Sequence, residues 1–365
     1  MPEKRSLHMR SIKLLAIWIG MLSAFPSGLS AQDEEYPLIL IPTDENDYSY
    51  PTDYQIPWEQ IEIRVTEKFS PNLVSLHGSP RLDPAHPDGS GGRVMVLHGP
   101  DGVLMVDTQN RQVAEKTYAA IRSLTNQPIK VVVNSHIHSD HTGANEFFGK
   151  KGALIFAQEN LRLDMINPLR PDGSPARRRD PIGIPVATYE WDPTAPGDAA
   201  VTLNMNGETV DFIPMMPSHT AGDTIVRFRK ANVIYIEDFY RNYGFPFAAQ
   251  ASGGSIKGII EAIDLFREIA DDATWLVPGH GTLIRRDDLI PYRDMLVDIV
   301  NNVSVLRAQG NTLEQVFTAN LTEPYEQSVR GATQQNRNRF IRAVYDEVEN
   351  FPPIVNGRRA MPMHR

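Results

Sequence analysis

Asn134-Ser135-His136-Ile137-His138-Ser139-Asp140-His141-Thr142-Gly143 follows directly on Val131-Val132-Val133. The β-branched run reads as a buried strand, and the decapeptide as the loop into which it empties. Three imidazoles and a carboxylate fall within six positions. In extended or turning chain, residues i and i+2 point to one side. His136 and His138 are therefore placed to hold one cation, and Asp140 and His141, past the turn, to hold another. A lone His-x-His is more often structural. Four candidate ligands in six residues, drawn from only ten histidines in 365 residues, read instead as half of a metal site. The other half must come from other strand ends.

The pattern on either side supplies such ends. Upstream, residues 61–65 alternate as a strand should, and 72–76 form a second. Residues 78–92 collect Pro, Gly and Asp and read as a loop. Residues 93–97 and 103–106 are apolar runs joined by Gly99-Pro100-Asp101-Gly102, a hairpin with its turn chemistry visible. Val113, Thr117, Ala120, Ile121 and Leu124 then share one helical face, and residues 129–133 are the strand that delivers the opening motif. Downstream come a short helix over 143–148, a strand over 153–156 and a helix over 159–166. Residues 167–185 break the pattern with prolines, Arg170 and the run Arg177-Arg178-Arg179. A solvated surface loop accounts for this segment; its functional alternative is a mobile flap that favours anionic substrates.

A second set of strands follows at 201–205, 209–213, 224–228 and 233–236. Ser255 caps a helix whose Ile256, Ile259, Ile260, Ile263 and Phe266 lie on one side. Residues 274–277 are the last strand, and helical patterns cover 287–308 and 330–348. Two successive β-then-α halves without a composition break predict a single α/β domain over 61–350, two packed sheets with helices outside.

Composition narrows the function. A formal net charge of -9 disfavours a nucleic-acid partner, which calls for a basic face. The absence of cysteine restricts any metal ligand to nitrogen and oxygen. At the N-terminus, Lys4, Arg5, Arg10 and Lys13 precede an apolar run over 14–25 and small residues up to Ala31. This reads as a secretory signal, residues 1–31, cut near Ala31. The run is short for a membrane span, although an uncleaved anchor is the alternative. The expectation is a periplasmic or secreted protein with no stable membrane insertion after cleavage. Residues 32–60 read as an extended acidic arm, and 351–365 as a C-terminal tail.

Each later strand group ends in a candidate ligand. His219 lies in Ser218-His219-Thr220-Ala221-Gly222-Asp223, just before a strand; Asp238 follows Ile234-Tyr235-Ile236-Glu237; His280 sits in Pro278-Gly279-His280-Gly281. Singly, each could be a turn residue. Together they occupy strand-end loops, where functional groups concentrate. Seven ligands suffice for two metals that share Asp238 and keep an open position for water. His8, His77, His86, His98 and His364 take no part.

His-x-His-x-Asp-His followed by a later His, an Asp and Pro-Gly-His-Gly resembles the metallo-β-lactamase superfamily. The resemblance implies a four-layer αββα sandwich with a dinuclear zinc site along one edge of the sheets. It assigns His136, His138 and His219 to the first zinc, Asp140, His141 and His280 to the second, and Asp238 to both. The same nitrogen and oxygen donors also accept iron or manganese. Flavodiiron oxidoreductases of the family use a glutamate where His138 stands. The nuclease branch fits poorly with the acidic balance, and the alkylsulfatase branch with the short chain after His280.

Two such cations make hydroxide available near neutral pH, polarise a carbonyl or phosphoryl oxygen and hold the leaving group. Asp140 would orient the nucleophile and shuttle a proton. Thr220 and Asp223 either fix imidazole tautomers or simply satisfy a turn. Family β-lactamases with one cysteine ligand carry it where Asp238 stands; an aspartate resembles the bridging carboxylate of glyoxalase II, lactonases and phosphodiesterases. Arg241, three residues on, matches the spacing of the lysine with which the cysteine-bearing enzymes hold a substrate carboxylate. Tyr240, Tyr243, Phe245 and Phe247 are either an aromatic wall or a packed loop. The expected function is a secreted dizinc hydrolase opening a cyclic amide or ester, β-lactam-like and carboxylate-bearing. The alternatives are a lactonase, thioesterase or phosphodiesterase, and a non-catalytic metal-binding accessory protein. A small molecule is the expected partner.

Overall fold

The computed structural model describes residues 57–80, 89–168, 179–242, 244–329, 332–350, 354–355 and 358–359. The expected export signal, the arm up to residue 56, Arg170, Arg177, Arg178, Tyr243 and most of the tail lie outside the described residues.

The first sheet contains β1 (Ile61–Ser70), β2 (Leu73–Pro80), β3 (Val94–Gly99), β4 (Gly102–Val106), β5 (Ile129–Val133), β6 (Leu154–Gln158) and β7 (Ala187–Tyr189), in that spatial order. β1 to β4 form an antiparallel meander, with Gly99 opposite Gly102 at the expected hairpin. From β4 onward the pairing is parallel. Parallel neighbours need crossovers, supplied by α1 (Ala114–Leu124) between β4 and β5 and by α2 (Ser139–Thr142) and α3 (Asn145–Lys150) between β5 and β6. α4 (Glu159–Ile166) leads toward β7.

β8 (Val201–Met205), β9 (Glu208–Pro214), β10 (Thr224–Phe228), β11 (Val233–Glu237) and β12 (Trp275–Pro278) form the second sheet, in the order β12-β11-β10-β9-β8. Only β11 and β12 are parallel, and α5 (Ile256–Ile269) bridges them. α6 (Leu289–Ala308), α7 (Leu313–Thr318) and α8 (Gln334–Glu347) complete the helices.

Strand alternation explains the layering. Along β3 and β4, Met95, Leu97, Leu104 and Val106 point to one face and meet Phe212, Val226, Phe228 and Tyr235 of the second sheet. Val94, Val96, Val103 and Met105 point to the other and meet Ile121 of α1 and Phe148 of α3. The outer face of the second sheet, with Ile225, Ile234 and Ile236, packs on Ile259, Ile263 and Phe266 of α5 and on residues of α6 and α8. Both faces of each sheet are covered, which is why these strands read as continuous apolar runs. The result is the expected four-layer α/β arrangement.

Three elements have weak sequence signals. α2 is a single turn inside the metal motif, β7 is a three-residue edge strand, and α7 starts at a Thr312–Gln315 capping box. Among the described residues no helix is long and apolar enough to cross a membrane.

Candidate metal centre

All seven expected ligands lie at or just beyond strand ends, Asp140 and His141 in the single turn α2. His136, His138, Asp140 and His141 follow β5, His219 precedes β10, Asp238 follows β11 and His280 follows β12. The fold brings them into two groups, His136/His138/His219/Asp238 and Asp140/His141/His280, with the ligand atoms of each group within 4.8 Å of one another. Asp238 joins the groups. Its Oδ2 lies 3.6 Å from His219 Nε2, 4.0 Å from His136 Nε2 and 3.6 Å from His280 Nε2; its Oδ1 lies 3.4 Å from His141 Nε2.

The donor chemistry fits cations. His138 Nδ1 and His219 Nε2 face each other at 3.0 Å, and His141 Nε2 and His280 Nε2 at 3.2 Å. At that distance each pair of ring nitrogens is close enough to share either a proton or a cation. Ligands about 2.0–2.1 Å from a tetrahedral zinc stand roughly 3.3–3.4 Å apart, inside the observed spread. His136 Nε2 and Asp238 Oδ1 are buried and have no hydrogen-bond partner among the described residues, and a buried polar atom left unpaired is costly. Small residues keep the space open. A Cβ on Gly279 would fall 2.3 Å from Asp238 Oδ1, and one on Gly92 2.1 Å from His141 Cε1.

The ring nitrogens that face away are held by groups the sequence pattern did not single out. His136 Nδ1 is 2.9 Å from Glu237 Oε2 and 3.0 Å from Ser135 Oγ. His141 Nδ1 donates to Asp107 Oδ2 at 2.8 Å, and His219 Nδ1 to the carbonyl of Phe247 at 2.7 Å. Each contact fixes a tautomer and leaves Nε2 for a metal. Asp107 also accepts from Tyr235 Oη at 2.9 Å, Ser135 N at 2.7 Å and Ser135 Oγ at 2.6 Å. Asp107 and Glu237 are fully buried at the ends of β4 and β11, with φ of 65° and 42°. Non-glycine residues pay for that backbone region and cluster where function needs it. The only sequence trace of either is an acidic residue closing an apolar run.

Of the two expectations for Thr220 and Asp223, the structure shows the turn. Asp223 accepts from Thr220 N at 2.9 Å through each oxygen, so the pair shapes the turn while Phe247 O holds the ring. The aromatic segment is divided. Phe245 is buried and stacks on Phe340, and Tyr240 packs on Tyr292. Phe247 lies parallel to the His138 ring at 6.0 Å and edge-on to His219 at 5.6 Å. Arg241 is half-buried, and its charge is felt by His138 and His219. His98 lies in β3 opposite Val103, outside the cluster.

Charge is partitioned unevenly across the site. Burial, reinforced by His138, holds His219 down to about 3, and burial with the charge of His141 holds His136 well below its ordinary value. Burial also depresses His141, but Asp238, Asp140 and Asp107 outweigh it and raise the ring to about 9. Asp140 is held below the usual carboxylate range because His141 and His280 overcome its burial.

The family model for the metallo-beta-lactamase superfamily matches residues 87–280. A metallo-beta-lactamase from Pontibacter korlensis superposes with a TM-score of 0.50 at 16% identity, over 65% of this chain and 100% of that one. A stereoselective inverting sec-alkylsulfatase from Pseudomonas sp. superposes at 0.58 with 18% identity, over 78% of this chain and 50% of that one. At such identities the likeness is one of fold. Among curated proteins, the 2,4-dinitroanisole O-demethylase subunit alpha of Nocardioides sp. (strain JS1661) is 26% identical over 148 residues. That match covers 40% of each chain.

Proposed function

The chain belongs to the metallo-β-lactamase superfamily, and from that premise we propose that it is a dizinc hydrolase opening a cyclic amide or ester that bears a carboxylate, β-lactam-like in shape. The observation that carries the reading is the pair of ligand groups meeting at Asp238. A divalent pair held there supplies Lewis acidity toward a carbonyl oxygen and lowers the pKa of a water toward neutrality; zinc suits the donor set, which also accommodates iron or manganese.

The chain's own residues direct that chemistry. The Asp140 side chain keeps 33% of its exposure against 6% for Asp238. It is the carboxylate placed to orient a water and to pass its proton to the leaving nitrogen or oxygen. Arg241 takes the substrate carboxylate through two parallel hydrogen bonds. Phe247, against His138 and His219, walls one side with an apolar ring. The aspartate at position 238, in place of a cysteine, favours a second reading within the same chemistry, a lactonase, thioesterase or phosphodiesterase. Residues 1–31 are proposed as an export signal that delivers the enzyme to the periplasm or beyond.

The test is a panel of β-lactams, lactones, thioesters and phosphodiesters with the purified protein. The reading expects hydrolysis of an anionic lactam or lactone, loss of that rate in His138→Ala, and a raised KM in Arg241→Ala for anionic but not neutral substrates. Equal effects on both substrate types would remove Arg241. Metal retained without turnover on any member would instead indicate an accessory protein.

A further inference from the structure

Each ligand of the second group lies between two backbone carbonyls that a single arginine spans. Arg93, buried, donates from Nη1 to Pro278 O at 2.6 Å and from Nη2 to Gly281 O at 3.0 Å, bracketing His280. Arg179 donates from Nη1 to Thr142 Oγ1 at 2.8 Å and Thr142 O at 3.2 Å, and from Nη2 to Ile137 O at 3.3 Å. It thereby brackets the turn that carries Asp140 and His141, and His138 with them. A guanidinium presents its donors in a rigid planar fork, so the two acceptors it joins are held at a fixed separation. His136 and His219 are supported otherwise, by Glu237, Ser135 and the carbonyl of Phe247.

Both arginines are themselves fixed. Arg93 Nη2 lies 3.3 Å from Glu67 Oε1 in a buried pair. The chain after Arg179 lies in backbone contact with α3. Asn145 Nδ2 donates to Gly183 O at 3.1 Å, and a Cβ on Gly149 would fall 2.3 Å from Ile182 O. The described end of the arginine-rich segment is therefore built into the base of the metal motif.

We infer that Arg179 and Arg93 are positioning residues for the second metal, setting the spread of Asp140, His141 and His280 and through it the affinity of that group; this rests on the two-metal reading above. Neither arginine needs to touch a ligand side chain, since each acts through the backbone that carries it.

The experiment is a titration of metal-free protein with Zn2+ against a chromophoric chelator, resolving two stepwise affinities, alongside thermal unfolding of the metal-free form. Arg179→Ala is expected to weaken the second step roughly 10–100-fold, the range for outer partners of metal ligands, and to weaken the first step less, since of that group's ligands only His138 lies within the bracket. Arg179→Lys, with donors but no fork, is expected to fall between. Arg162→Ala is the control: Arg162 Nε donates to Pro185 O at 3.0 Å, holding the same segment without reaching a ligand-bearing loop, so only its melting temperature should change. Unchanged affinities in Arg179→Ala, or equal loss in both steps, would overturn the inference. If that variant does not fold, the lysine variant decides by the same criterion. A wild-type protein that binds fewer than two ions would instead overturn the two-metal reading, and that failure shows before any variant is made.

Discussion

Asp238 is within 4.0 Å of four imidazoles, through both of its oxygens, and the room beside it exists only because residue 279 is glycine. Overpacking a filled site forces atoms off their minima. At Gly279 the added methyl would meet the Asp238 carboxylate at 2.3 Å and His141 Cε1 at 2.8 Å. Gly279→Ala is therefore expected to lose at least one bound metal ion per chain while its far-ultraviolet circular dichroism stays native; a variant that keeps full metal content would show that Asp238 need not sit where it does. The seven candidate ligands that the fold brings together were all legible in the sequence, because crowded histidines and strand-end Pro-Gly-His-Gly are rare patterns. Asp107 and Glu237 were not. A single acid at the end of an apolar run is ordinary, and what distinguishes these two is complete burial with φ above zero, which emerges only when β4, β5, β11 and β12 are side by side.

At the scale of elements, helices that carry none of the candidate ligands cover the sheet behind the site. α5 covers the outer face of the second sheet and begins at Ser255, whose Oγ accepts from Gly258 N at 3.1 Å. Its first turn is tied to α8 by Glu347, which accepts from Ile256 N at 2.9 Å. Ser255→Ala should cost about 1 kcal/mol of stability, read from urea unfolding, with metal stoichiometry unchanged; a change in metal content would mean that the helix start and the site are coupled. The amphipathic patterns of α1 and α5 and the β-branched strands were readable because each buries one side against a sheet. β7 and α2 were not, since three or four residues carry too little periodicity and their geometry is imposed by pairing with β6 and by the ligand loop.

For the whole molecule, the two sheets are joined at the site by Arg93, which reaches from the start of β3 to the loop after β12, with Glu67 of β1 beside it. Burial raises the Glu67 carboxyl, but Arg93 and the hydroxyls of Ser75 and Thr66 outweigh it and leave its pKa below the ordinary 4.5. A carboxyl depressed on folding contributes stability present above its unfolded pKa and lost as pH falls through the folded one. Unfolding free energy of the metal-free protein should therefore decline as pH drops below 4.5, and Glu67→Gln should flatten that decline; an identical acid limb in the variant would remove the pair from the account. The sandwich itself was legible from two β-then-α halves, whereas this cross-sheet tie was not, because Glu67 and Arg93 each resemble surface charges on alternating strands until both are buried together.

The central claim is that the two ligand groups hold two ions through Asp238. Elemental analysis of the protein as purified, with Asp238→Ala in parallel, tests it most directly. The account predicts two divalent ions per chain in the wild type and fewer than two in the variant; one ion or none in the wild type, or two in both proteins, would contradict it.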